Sequence, residues 1–300
     1  MAVVKNIIRA GAVKPNPFTI CIIANAVLEA PWNSGTVIKD PLIGQLPAFQ
    51  AAAAYIDSAL FGLLPGQQEK LLADPALMPQ IRVISLYDDG LESTLPNALV
   101  AQDGSSNLLV ARRAAFAPFL AGHGIDADVA YAVSASSSHN RASAWFTTDD
   151  DAQAGLPFTL DGNQLFHRFY NNIPGTVAIH VTADSLTAVH EFGHAISSYS
   201  NGKILDLYVD SPIGLNNKTG RPIPPDFGRY QRALFASDVT RDGLGYDAGW
   251  LSYHCELIDA GSPAVMDNYW LSAKGPQACL HDAVTEAFIR DRVAAKISRP

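Results

Sequence analysis

The sequence predicts an α/β fold, and three observations carry that prediction. Apolar runs of strand type alternate with stretches of helical spacing from Thr19 to Thr182. Hydrophobic letters make up 48% and charged letters 17% of the 300 residues, so the chain can close a large core without disulfides. Neither a repeat of fixed period nor a low-complexity block interrupts the pattern.

The elements follow in order. The apolar run from Phe18 to Leu28 lies behind Lys5, Arg9 and Lys14, an arrangement shared with signal peptides. It is too short to span a bilayer, and Glu29 and Pro31 close it, so it reads as a buried first strand running into a turn. Ala48 to Leu64 has helical spacing and stops at Pro65-Gly66; Gln67 to Ala73 reads as a short helix. Ile81 to Leu86 is a strand, Leu108 to Leu120 a helix, and Val129 to Ser134 a strand bounded by Gly122, Gly124 and the Ser136 to Ser138 cluster. Thr176 to Thr182 forms one more strand. Pro and Gly concentrate between Ser211 and Gly228 and mark a loop or lobe connector. From Asp282 to Lys296, apolar Val284, Ala287, Phe288, Ile289 and Val293 recur at helical spacing, with Arg290, Arg292 and Lys296 toward the helix's negative end.

Charge and cysteine content exclude several classes. With 21 Lys and Arg against 29 Asp and Glu, a net charge of −8 and no basic run, the chain lacks the footprint of a nucleic-acid or anionic-membrane binder. An acidic surface favours basic or neutral polypeptides. Cys21, Cys255 and Cys279 cannot all pair and form no CxxC, which excludes a disulfide framework and a cysteine zinc site, although Cys255 and Cys279 can pair. Without a clear signal peptide the default residence is cytoplasmic, with export open. No GxGxxG or GxxxxGK[ST] occurs, and Ser137, His139 and Arg141 share a polar loop that lacks a GxSxG elbow. Asp149 to Asp151, with Asp161-Gly-Asn163, lacks EF-hand spacing and reads as a solvated acidic turn.

Residues 190 to 194 read His-Glu-Phe-Gly-His. On a helix, positions i and i+4 share a face, so His190 and His194 can present two imidazoles to one cation while Glu191 leans over the same site. Shuffling eight His and six Glu through the chain would give this HExxH pattern about 0.004 times. The motif sits inside an expected helix of about four turns, capped by Asp184 or Ser185 and stopped at Asn201-Gly202. Two imidazoles and a carboxylate suit Zn2+, with Glu191 as the general base that activates water for peptide hydrolysis. The positions that would extend the motif in metzincin fashion are Ser197 and Ser200, so the third ligand comes from further on: Asp206, Asp210, His254 or Glu256.

These residues resemble a known group. His-Glu-Phe-Gly-His followed by Leu205-Asp206-Leu-Tyr208 is similar to the motif of the bacterial IgA-peptidase family of metzincin-like zinc metallopeptidases, and Pro263-Ala-Val-Met266-Asp-Asn-Tyr269 resembles a Met-turn. The resemblance implies a zincin-like α/β (α+β) architecture. Residues 1–201 would form an upper lobe with a mixed sheet and the active-site helix. Residues 202–300 would form a smaller lower lobe with the connector, the Met-turn and the final helix, and the two would make one catalytic domain. It further implies zinc on His190, His194 and Asp206, Glu191 as base, and Met266 as the floor beneath the metal. Tyr208, Tyr253 and Tyr269 are candidates to assist the transition state, and the strand from Thr176 to Thr182 would border the cleft and pair with an extended polypeptide. Two other functions stay open: a metal-holding binding module without turnover, and a metal-dependent hydrolase of small molecules.

Overall fold

Alternation along the first buried strand sets the layers. In β2 (Phe18–Ala24), Ile20 and Ile22 join one apolar cluster and Cys21 and Ile23 another, and all four are fully buried, so both faces of the sheet are covered. β1 (Val3–Arg9) precedes it. Then come β3 (Val27–Glu29), β4 (Val37–Lys39), α1 (Leu46–Leu60), β5 (Ile81–Asp88), β6 (Ala98–Gln102), β7 (Leu109–Ala111), α2 (Arg113–Gly122), β8 (Val129–Ser134) and β9 (Ser143–Trp145). The short strands β10 (Thr147–Thr148), β11 (Pro157–Leu160) and β12 (Asn163–Phe166) lead to β13 (Gly175–His180) and α3 (Ser185–Ile196). β14 (Ser198–Ser200), β15 (Lys203–Leu205), β16 (Ala233–Ala236), β17 (Leu251–His254) and α4 (Ala283–Ser298) complete the order. This is a computed structural model, which describes residues 3–11, 16–145, 147–148, 157–160, 163–166, 174–200, 203–205, 233–236, 251–254, 264–266, 269–281 and 283–298.

The main sheet runs β1-β5-β2-β8-β13-β9. Its four inner strands are mutually parallel, and β1 and β9 close the edges antiparallel. On one face Ile20, Ile22, Tyr131, Val133, Val177 and Ile179 share a cluster with residues of α1, α3 and α4. On the other, Cys21, Ile23, Ala130 and Ala132 meet α2 and a second sheet of order β4-β3-β6-β7. The molecule is therefore a mixed α/β structure, as the alternation predicts. Among the described residues no helix is long and apolar enough to cross a membrane. A part-buried ion pair ties β1 to α1: Arg9 holds Asp57 through two hydrogen bonds of 2.7 and 2.8 Å and lies 3.9 Å over the Phe61 ring.

Three elements differ from the sequence reading. The helix expected from Leu108 is a strand first: Leu109, Val110 and Ala111 pair with β6, and the helix begins at Arg113. A three-residue apolar run is ambiguous by periodicity, and a neighbouring strand decided it. Gln67 to Ala73 is helical only at Leu71–Ala73, in 3-10 form. There Gln67 Nε2 donates to the Ala59 carbonyl at 2.7 Å and Glu69 accepts from the Leu71 amide at 2.7 Å, so side chains take the bonds a helix would use. Finally, β13 does not lie at an edge. It pairs with β8 along its whole length and with β9 from Thr176 to Ala178, so both of its flanks carry neighbouring strands.

Candidate metal centre

The chain enters α3 from β13 through a close approach. A Cβ on Gly175 would stand 2.0 Å from the Ala195 carbonyl oxygen, so only glycine lets the strand lie this near the helix. Asp184 caps the helix: its carboxylate accepts from the Thr187 amide at 2.9 Å and from the Thr187 hydroxyl at 3.0 Å. Because the one hydroxyl proton of Thr187 goes to Asp184, Tyr269 must donate in the 2.7 Å contact between Tyr269 Oη and Thr187 Oγ1. Leu186, Val189, Phe192, Ala195 and Ile196 bury the apolar face, with Phe192 edge-on to Phe18 at 6.5 Å. The helix ends at Ile196, one turn earlier than expected, where the Ser197 amide and hydroxyl both donate to the Gly193 carbonyl at 3.2 and 2.9 Å. The reversal expected at Gly202 is made by strands: β14 and β15 pair antiparallel, with Ser200 opposite Lys203.

Helical spacing brings His190 and His194 together as expected. Their Nε2 atoms stand 3.1 Å apart and their rings are nearly perpendicular, at 82° and 4.7 Å between centroids. His190 Nδ1 lies 2.6 Å from the Val265 carbonyl oxygen. A carbonyl only accepts, so Nδ1 carries a proton, the tautomer that in a neutral ring leaves the Nε2 lone pair facing His194. Glu191 is buried, with 8% of its surface exposed. Burial first and the Glu191 charge second push the Tyr131 phenol well above its ordinary range, so the carboxylate stands within electrostatic reach of that hydroxyl. Tyr131 itself donates to the Ala188 carbonyl at 2.8 Å and steadies the helix from the sheet side. Tyr269 is raised mainly by burial, with the charges of Asp184, Glu191 and Cys279 adding to the rise.

A turn 75 residues downstream closes the site from below. Ala264, Val265 and Met266 are fully buried, and a Cβ on Gly193 would fall 2.2 Å from Met266 Sδ and 2.7 Å from its Cε. The thioether thus occupies the space that the glycine between the two histidines leaves empty. The turn is held by the Val265 amide donating to the Leu280 carbonyl at 3.0 Å, and the segment after it by Gln277 Nε2 donating to Ser185 Oγ at 2.9 Å. The 3-10 turn Tyr269–Leu271 brings the Tyr269 ring to 5.4 Å and the Trp270 ring to 6.5 Å from the His190 imidazole.

Of the remaining expected residues, Asp206, Tyr208, Asp210, Cys255, Glu256 and the Ser211 to Gly228 connector lie outside the described residues, as do the side chains of Tyr253 and His254 on β17. Among the described residues no three His, Cys, Asp or Glu side chains are grouped to hold a metal. In the polar loop, Ser138 rather than Ser137 meets His139, at 2.8 Å to Nδ1, and Nε2 faces the Asp103 backbone carbonyl at 2.9 Å, with no carboxylate behind it. Sequence reasoning missed Thr187, the Val265 carbonyl and Trp270. The aromatic pair Tyr269-Trp270 just after Met266 was the available signal for the last; a backbone acceptor leaves none. No protein-family model matches the chain, and no curated protein matches it.

Proposed function

We propose that the chain is a zinc-dependent metallopeptidase of zincin fold that hydrolyses polypeptides. The observation that carries this reading is the pair of Nε2 atoms 3.1 Å apart, one of them fixed in its tautomer by the Val265 carbonyl. Two ligands of a tetrahedral zinc at 2.0–2.1 Å lie about 3.3 Å apart, so the donor pair fits that ion with little movement. His190 and His194 would hold the metal, Asp206 would complete the set, and Met266 would form the apolar floor. When bound, zinc supplies Lewis-acid polarisation of a carbonyl and acidifies water.

The chain's own residues supply the rest. Glu191, on the turn that carries both imidazoles, would take a proton from the water whose oxygen adds to the carbonyl carbon and return it to the amine nitrogen as the C–N bond breaks. The Val265 carbonyl keeps His190 from rotating, and the buried wall of α3 and the sheet limits water behind the imidazoles.

The test is zinc per chain and peptide hydrolysis for wild type and Glu191→Gln. The variant should keep its metal and lose activity by a factor of about 10² to 10⁴, as for a missing general base. A wild type that binds zinc stoichiometrically yet cleaves nothing in a broad peptide library would sink the peptidase reading and leave a metal-holding binding module. Asp206→Ala should lose zinc affinity; retained affinity would move the third ligand to Asp210, His254 or Glu256.

A further inference from the structure

We propose that Trp270 determines specificity by receiving a bulky apolar side chain of the substrate, an inference whose location rests on the peptidase reading. Trp270 is 54% exposed although it stands within 6.5 Å of a buried imidazole at the candidate metal centre. Among the described residues its two ring contacts are near-perpendicular, at 79° to Tyr269 and 73° to His190, so neither stacks over the indole. The Tyr269 ring beside the indole is held in place. Tyr269, at 5.2 Å, is 7% exposed and donates to Thr187, which donates to Asp184 at the head of α3. An indole has only two side-chain torsions to lose and here rests on a fixed neighbour, so little entropy is lost when a partner covers it, which makes it an efficient anchor.

Charge selects the occupant. A cation on the two imidazoles would repel a guanidinium or ammonium lying on the neighbouring indole and so weaken the cation–π alternative. The buried Glu191 carboxylate and the net charge of −8 disfavour an acidic side chain. An aromatic or long aliphatic side chain meets neither penalty, and covering the indole with it removes apolar surface from water.

The experiment measures binding apart from turnover. Zinc-loaded Glu191→Gln protein is titrated by calorimetry with a short peptide and with versions that place Phe in turn at each Ala position. At one position Phe should strengthen binding about tenfold. That ratio should fall to about one in a Trp270→Ala, Glu191→Gln protein and survive largely in Trp270→Phe, with zinc content and melting temperature unchanged. Equal binding of every peptide, or a Phe preference that persists in Trp270→Ala, overturns the proposal. Cleavage by the wild type is read separately. A Trp270-dependent Phe preference in a protein whose wild type cleaves nothing would keep the subsite and discard the peptidase.

Discussion

Gly193 and Met266 meet at the centre of the site, and their contact decides what a methyl group there would do. Alanine gains about 1 kcal/mol over glycine in a helix interior from propensity alone. Against that gain, contacts of 2.2 and 2.7 Å to a fully buried thioether force Met266 off its position, an overpacking cost of about 1–3 kcal/mol. Gly193→Ala should therefore be less stable by about 1 kcal/mol in urea unfolding, and it should also bind zinc more weakly, because Val265 and its carbonyl move with Met266. Met266→Ala alone should cost about 2–5 kcal/mol through the cavity it leaves. The double variant should be more stable than the sum of the two predicts, since the added methyl has space once the thioether is gone; strict additivity would show that the two side chains do not compete.

At the scale of the element, α3 shows what a linear pattern can and cannot reveal. The i, i+4 histidines, the apolar stripe and the Asp184 cap were readable because each depends on spacing within one turn. The strand Leu109–Ala111 was not, because so short an apolar run takes its conformation from β6, 11 residues earlier at the Val100–Ala111 pair and fewer at the hairpin's inner positions. Nor could β13 be placed at the interior of the sheet, since pairing partners leave no trace in a strand's own letters. The cap yields a prediction of its own. Asp184→Ala removes the acceptor of both Thr187 bonds and should cost about 0.5–2 kcal/mol in thermal or urea unfolding. Asp184→Asn should recover most of it; an Ala variant as stable as wild type would mean the helix start is held by the Ser185–Gln277 contact instead.

Across the whole molecule, the candidate centre joins parts of the chain that are remote in sequence. Zinc that binds the folded but not the unfolded chain should raise stability by about 2.7 kcal/mol at a hundredfold excess over its Kd, so chelation should lower the melting temperature. A melting temperature indifferent to both zinc and chelator would argue against any resident metal. The apolar cluster beneath the main sheet runs from Phe18 through Phe192 to Met266, Cys279, Ile289 and Val293. Polar ties follow the same long paths, from Glu69 to the His281 amide at 2.6 Å and from Arg290 to Asp74 at 2.8 Å. The carbonyl that orients His190 and the thioether beneath it both belong to the turn at 264–266. During synthesis the histidines thus leave the ribosome well before the groups that aim them, and a nascent chain carries the complete HExxH helix without its buttress. On the proposed reading, competence for metal chemistry would be postponed until the segment carrying Val265 and Met266 has been made and has docked, so that the order of the chain would act as a clock on its reactivity.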